Sequence, residues 1–169
     1  YALGNAALDF LGAGDEVVMD FVVTVADGQG GTVDQTVTIT LKGTNDAPVI
    51  TSGAQSGTMT ETADVVGGTD TDPANLTGTI SFSDADLSDD PSASHTGSIQ
   101  SSSLANGYVL TQAQQDAFLA GFSLDDAALS NFSSTDGTGS TGWTYALGNA
   151  ALDFLGAGDE VVMDFVVTV

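Results

Sequence analysis

Two aspartates one residue apart, Asp84 and Asp86, close an alternating segment that carries Phe82, with Asp89 and Asp90 close behind. An Asp-x-Asp pair in a loop can point both carboxylates the same way. Two convergent carboxylates are the beginning of a site for a hard cation: Ca²⁺ takes six to eight oxygen ligands at about 2.3–2.6 Å, from carboxylates, amide carbonyls and backbone. Other oxygen donors sit at similar places. Asp15 and Glu16 stand at the start of a long alternating segment, Asp27 follows that segment, Asn45 and Asp46 lie in a Gly/Pro-punctuated connection, and Glu61 follows the next short apolar stretch. The candidate metal ligands are therefore Asp84, Asp86, Asn45, Asp46, Asp15, Glu16, Glu61 and Asp27, and Ca²⁺ is the expected cofactor. The alternative is a solvated acidic surface of the kind suited to salty water. Asp27 reads either as a ligand or as a turn residue.

Other chemistries find less to work with. His95 is the single histidine, in the polar stretch Pro91-Ser-Ala-Ser-His-Thr96. Nothing near it resembles a nucleophile elbow or an oxyanion donor, so the chain is not expected to be an enzyme. Trp143 and Tyr145 alternate with polar residues and read as core rather than as a sugar platform. The row Thr36, Thr38, Thr40 reads as the outward face of an ordinary strand.

These residues must be positioned by strands. From Glu16 to Val25, Val17, Met19, Phe21, Val23 and Val25 share one face, and the period of two predicts a half-buried strand. After Ala26-Asp-Gly-Gln-Gly-Gly31, Val33 to Leu41 alternates again, with Val37, Ile39 and Leu41 inward, so the pair is expected to form a hairpin. Further strands are expected at Val49–Ser52, Thr77–Ser83, Ser94–Gln100, Tyr108–Leu110 and Gly142–Leu147. Thr111-Gln-Ala-Gln114 fits a capping box for a helix closed by Gly121, and Asn5 is a candidate cap for a short helix over Ala6–Leu11. Many short β-segments with Gly and Pro punctuation predict an all-β fold, a β-sandwich with one or two short helices.

The chain has 169 residues, with 23 Asp and Glu against one basic side chain, Lys42, and a net charge of −22. One lysine cannot neutralise a row of phosphates, so no nucleic-acid partner is expected. No apolar run approaches the roughly 20 residues of a membrane span, and no membrane insertion is expected. Hydrophobic residues make up 41% of the chain, which sets it apart from acidic disordered sequences. It has no cysteine, so neither disulfides nor thiolate ligands enter.

Residues Tyr1 to Val25 recur letter for letter as Tyr145 to Val169, a period of 144 residues. A unit of that size is a whole domain, so the chain reads as slightly more than one period of a tandem array. Residues 1–43 are expected to be the C-terminal part of one repeat, 44–48 a linker, and 49–169 the next repeat, lacking its final strand or strands. An open edge follows, or Thr32–Leu41 fills it from the same or a neighbouring chain. The expected partners are thus neighbouring repeats, with strand exchange between copies as a second possibility.

Trp143-Thr-Tyr-Ala-Leu147, Ala26-Asp-Gly-Gln-Gly-Gly31, Val37-Thr-Ile-Thr-Leu-Lys-Gly-Thr-Asn-Asp-Ala-Pro-Val-Ile50 and Ser81-Phe-Ser-Asp-Ala-Asp-Leu-Ser88 together resemble the VCBS repeat, a cadherin-like domain of large bacterial surface adhesins, including those with RTX tails. The resemblance covers nearly the whole period. It implies a cadherin- or Ig-like β-sandwich of Greek-key connectivity, secreted to the bacterial surface, strung in tandem with Ca²⁺ at the junctions, and serving as an extender of a calcium-stabilised adhesin in cell adhesion or biofilm formation. A carbohydrate- or receptor-binding module of the same adhesin is the alternative. By the same resemblance Asp15 and Glu16 take the place of the cadherin Asp-x-Glu without its spacer, Asn45 and Asp46 that of the linker Asn-Asp, Asp84 and Asp86 that of the following Asp-x-Asp, and Glu61 that of the early-strand glutamate. Gly43 and Ala47 stand where cadherin linkers carry a leading Asp and a trailing Asn, which implies one or two ions at a junction rather than three.

Overall fold

The computed structural model describes residues 3–63, 68 and 70–169. The fold is all-β: antiparallel strands account for 38% of the chain and helix for 11%. The chain divides into two compact units. The first comprises the chain up to Val49 together with Asp84–Asp89 and Ser133–Gly137, and the second comprises Ile50–Ser83, Asp90–Phe132 and Thr138–Val169.

In the first unit β1 (Glu16–Ala26) and β2 (Thr32–Lys42) form the expected hairpin, with Val17 opposite Leu41, Phe21 opposite Val37 and Ala26 opposite Thr32. Asp27 begins the turn, where its Oδ1 accepts the N–H groups of Gln29 and Gly31. The face pattern is as expected, but the half-buried state is not: Val17, Val18, Val22, Val23, Val25, Val33 and Val37 are all exposed. A two-stranded ribbon has no second layer of its own to cover its apolar face.

The second unit holds the sandwich. One sheet runs in the order β3 (Val49–Ile50), β4 (Leu76–Ser83), β7 (Thr138–Tyr145), β6 (Phe122–Leu124); the other pairs β5 (Ser94–Ser103) with β8 (Glu160–Thr168). Their inner faces meet through Phe122, Trp143 and Tyr145, packed by Leu76, Ile80, Met163, Phe165 and Val167. Phe122 and Phe165 stack with centroids 4.5 Å apart. The helix α1 (Gln112–Ala120) carries the expected capping box, Thr111 with Gln114, and its C-cap is Gly121. Phe118 on α1 packs with Leu110 and Leu152 under one end of the sandwich.

Two expectations are corrected, and one strand is added to those expected. Tyr108–Leu110 is not a strand: it passes from the 3₁₀ turn Ala105–Gly107 straight into the α1 cap, too short a run to pair, and Leu110 is spent on the core. Gly4, not Asn5, is the N-cap of the first turn, a single 3₁₀ turn over Asn5–Ala7, and Asn5 instead donates to Asp9 Oδ1. Its twin Asn149 is fully buried, its side chain donating to the Thr62 carbonyl and accepting the Thr62 N–H. Finally β6, only three residues, was too short to show a period in the sequence.

Candidate metal centre

Strand β4 ends at Ser83, and the chain turns at once into the loop Asp84–Asp89. The entry is pinned by backbone: the Asp84 N–H donates to the Gly137 carbonyl at 2.7 Å, and the Gly137 N–H to the Ser133 carbonyl at 2.8 Å. Gly137 has φ +66°, and a Cβ there would collide with the Asp84 carbonyl, so glycine is required twice over at this position. Asp84 Oδ1 then accepts the Asp86 N–H at 3.2 Å, a side-chain turn that folds the Asp-x-Asp pair onto itself.

Asp84 and Asp86 are buried, Asp86 completely, and oxygens of Asp84, Asp86 and Asp89 all lie within 4.8 Å of one another. Asp86 Oδ2 accepts the backbone N–H of Asp46 at 2.7 Å, so the segment 44–48 is fastened to the bottom of the cluster. Asp86 Oδ1 is buried and has no hydrogen-bond partner among the described residues. On the outer side, Asp15 Oδ2 accepts both the Gly12 N–H at 3.0 Å and the Ser88 hydroxyl at 2.6 Å. Gly12 is close enough that a Cβ would lie 2.9 Å from Asp89 Oδ1.

Such a gathering of carboxylates is unfavourable by itself. Removal from water raises the Asp89 carboxyl above its ordinary range, and the neighbouring charges of Asp86, Asp84 and Asp15 add to the rise. A buried carboxylate oxygen with nothing to accept is costly. The donors are all hard oxygens, which suits cations that prefer oxygen to nitrogen or sulfur. The three aspartates can hold a metal ion, and the orphaned Asp86 Oδ1 is the atom that fits one best.

No family model, curated protein or solved structure matches the chain. The site therefore rests on its own geometry.

Of the eight sequence candidates, Asp84 and Asp86 form the cluster. Asp46 joins it through its backbone rather than its carboxylate, which is exposed, and Asn45 donates to the Asp46 carbonyl at 2.8 Å. Asp15 borders the cluster through Ser88. Glu16 points elsewhere, its carboxylate 3.4 Å from Lys42 Nζ on the strand surface. Asp27 lies at the far end of β1, and the Gln29 and Gly31 N–H groups that hold its carboxylate lower its pKa. Glu61 belongs to the second unit, next to the Thr62 backbone that Asn149 grips. Asp89, which the sequence places only as a neighbour of the Asp-x-Asp pair, is the third member of the cluster. The spacing Asp84-x-Asp86-x-x-Asp89 was the available signal, and it becomes decisive once the Asp89 N–H donates to the Asp86 carbonyl and curls the loop.

Among the described residues, no helix is long and apolar enough to cross a membrane.

Proposed function

We propose that the chain is a structural spacer repeat of a secreted, tandemly repeated bacterial surface adhesin, and that Ca²⁺ bound at Asp84, Asp86 and Asp89 stiffens the connection between repeats. The observation that carries this reading is the double role of Asp86. One oxygen holds the backbone of Asp46 in the connecting segment, and the other waits, buried and unpaired, beside two further carboxylates. A cation there would cancel the repulsion and lock the connecting segment to the loop. Further support comes from the 144-residue period, from the resemblance of Gly43-Thr-Asn-Asp-Ala-Pro48 and Ser81–Ser88 to VCBS repeats, and from a charge of −22 that favours cations as partners.

Affinities of extracellular Ca²⁺ modules run about 10⁻⁴–10⁻³ M, which an extracellular fluid fills and a cell interior does not. The carbohydrate-binding alternative would call for a cluster of exposed aromatics beside the ion; Phe10, 48% exposed, meets the loop through its carbonyl, which accepts the Leu87 N–H, while Trp143 and Tyr145 are core residues. Thermal melting in excess Ca²⁺ and in chelator tests the proposal. At about a hundredfold excess over Kd the gain is about 2.7 kcal/mol, or roughly 5–10 °C in Tm for a chain of this size. Superimposable melts would remove the calcium reading.

A further inference from the structure

The loop that carries the candidate metal centre belongs to one repeat by sequence and to another by contact. By the 144-residue period, Asp84–Asp89 and Ser133–Gly137 fall inside the repeat 49–169. Both loops nevertheless join the compact unit built from the chain up to Val49, the end of the repeat before. The segment that receives Asp84–Asp89 is Phe10-Leu-Gly-Ala-Gly-Asp15.

Its grip has three points. The Phe10 carbonyl accepts the Leu87 N–H at 3.4 Å. Asp15 Oδ2 accepts the Ser88 hydroxyl at 2.6 Å while also holding the Gly12 N–H. Between them Gly12 closes on the loop: a Cβ there would stand 2.9 Å from Asp89 Oδ1, 3.2 Å from Ser88 Oγ and 3.4 Å from Asp86 Cβ. The same segment holds the connection between repeats. The Gly43 N–H donates to the Asp15 carbonyl at 3.0 Å, and a Cβ on Gly43 would collide with the Leu11 and Gly12 carbonyls. The carboxylate oxygens that lie within 4.8 Å of one another come from Asp84, Asp86 and Asp89; Asp15 acts on them through Ser88.

We propose that the Phe10–Asp15 segment of each repeat is a clamp that sets the cation affinity of the repeat following it, with Gly12 and Asp15 as positioning residues rather than ligands. The clamp rests on the calcium reading above and gives it a direction. Repulsion among the three carboxylates pushes the loop open, and the clamp opposes it, keeping Asp89 beside the Asp-x-Asp pair. A loop already closed leaves less ordering for the ion to drive, so it binds more tightly. The coupling is reciprocal: by whatever factor the clamp tightens the ion, the ion tightens the clamp. Each junction is thus governed from its N-terminal side.

The chain supplies a matched comparison. Gly156 is the twin of Gly12 one period on, and a Cβ there would meet Asp159 Oδ2 at 3.6 Å, an ordinary contact. Neither glycine has a left-handed φ, so alanine strains the backbone at neither. In calorimetric titrations of Ca²⁺ into the full-length chain, Gly12→Ala is expected to weaken binding by at least about fivefold, the low end of ordinary coupling between sites, and Gly156→Ala to leave it unchanged. Ser88→Ala is expected to weaken it by about 2–10-fold, the range for one hydrogen bond, and Ser88→Thr, which keeps the hydroxyl, to restore it. In chelator, hydrogen exchange of the Leu87 N–H is expected to quicken in Gly12→Ala and not in Gly156→Ala, which reads the clamp without a cation. Wild-type affinity or unchanged Leu87 exchange in Gly12→Ala, equal losses in the two alanine variants, or Ser88→Thr as weak as Ser88→Ala would each overturn the clamp and leave the calcium reading standing. A wild-type chain that binds no Ca²⁺ would end both.

Discussion

Asp86 has no exposed surface, binds the Asp46 backbone with one oxygen and leaves the other unpaired. Replacing it with Asn keeps the shape and supplies a donor toward the neighbouring carboxylates. The cation-free protein is expected to gain about 1–3 kcal/mol, the range for satisfying a buried polar group, while the Ca²⁺-dependent rise in Tm disappears; paired melts with and without chelator measure both. Asp89 gives a pH test whose sign is fixed. Its folded pKa is raised by loss of water and by the charges of Asp86, Asp84 and Asp15. The stability it contributes is therefore present below the unfolded value of about 3.9 and is lost as pH rises through the folded value. In chelator, Asp89→Asn is expected to raise Tm at pH 7 and to leave it unchanged at about pH 2, far enough below the unfolded value that the native side chain is protonated in both states. The Asp-x-Asp pair was legible because two carboxylates at that spacing after a strand imply a turn. The part played by Asp46 was not, since it acts through a backbone N–H that carries no side-chain signature.

Identical elements in unlike surroundings show how far local sequence reaches. Alternation in Glu16–Val25 predicts a half-buried strand, and β8 obeys with every second residue shielded, whereas β1 does not. Period decides which face is apolar; only tertiary partners decide whether it is covered. The α1 capping box was readable because it closes within four residues, from Thr111 to Gln114. The latch of Asn149 to Thr62 spans 87 positions and could not be read from either end. The same contrast can be measured. Phe165→Ala, which removes a ring stacked on Phe122, is expected to cost about 3–5 kcal/mol in urea unfolding, against less than about 1 kcal/mol for Phe21→Ala, whose ring is 42% exposed. Gly137→Ala, at φ +66° and against the Asp84 carbonyl, is expected to cost about 1–3 kcal/mol and to weaken Ca²⁺ binding by displacing the loop.

Over the whole molecule, a charge of −22 is distributed over 23 carboxylates and a single lysine. Self-repulsion of that size destabilises the compact state and is screened by salt, with a Debye length of about 10 Å at 0.1 M and 3 Å at 1 M. In chelator, Tm is expected to climb steadily between 0.02 and about 0.5 M NaCl, and the added effect of Ca²⁺ to persist at the higher salt because Asp84 and Asp86 are buried. That persistence separates a built site from a diffuse ion atmosphere, and calorimetric titration of Ca²⁺ into the metal-free chain in about 0.5 M NaCl reads it directly. Saturable binding with Kd of about 10⁻⁴–10⁻³ M, abolished by Asp86→Asn, is the predicted result. Absence of saturable heat, or an isotherm that Asp86→Asn leaves intact, would contradict it.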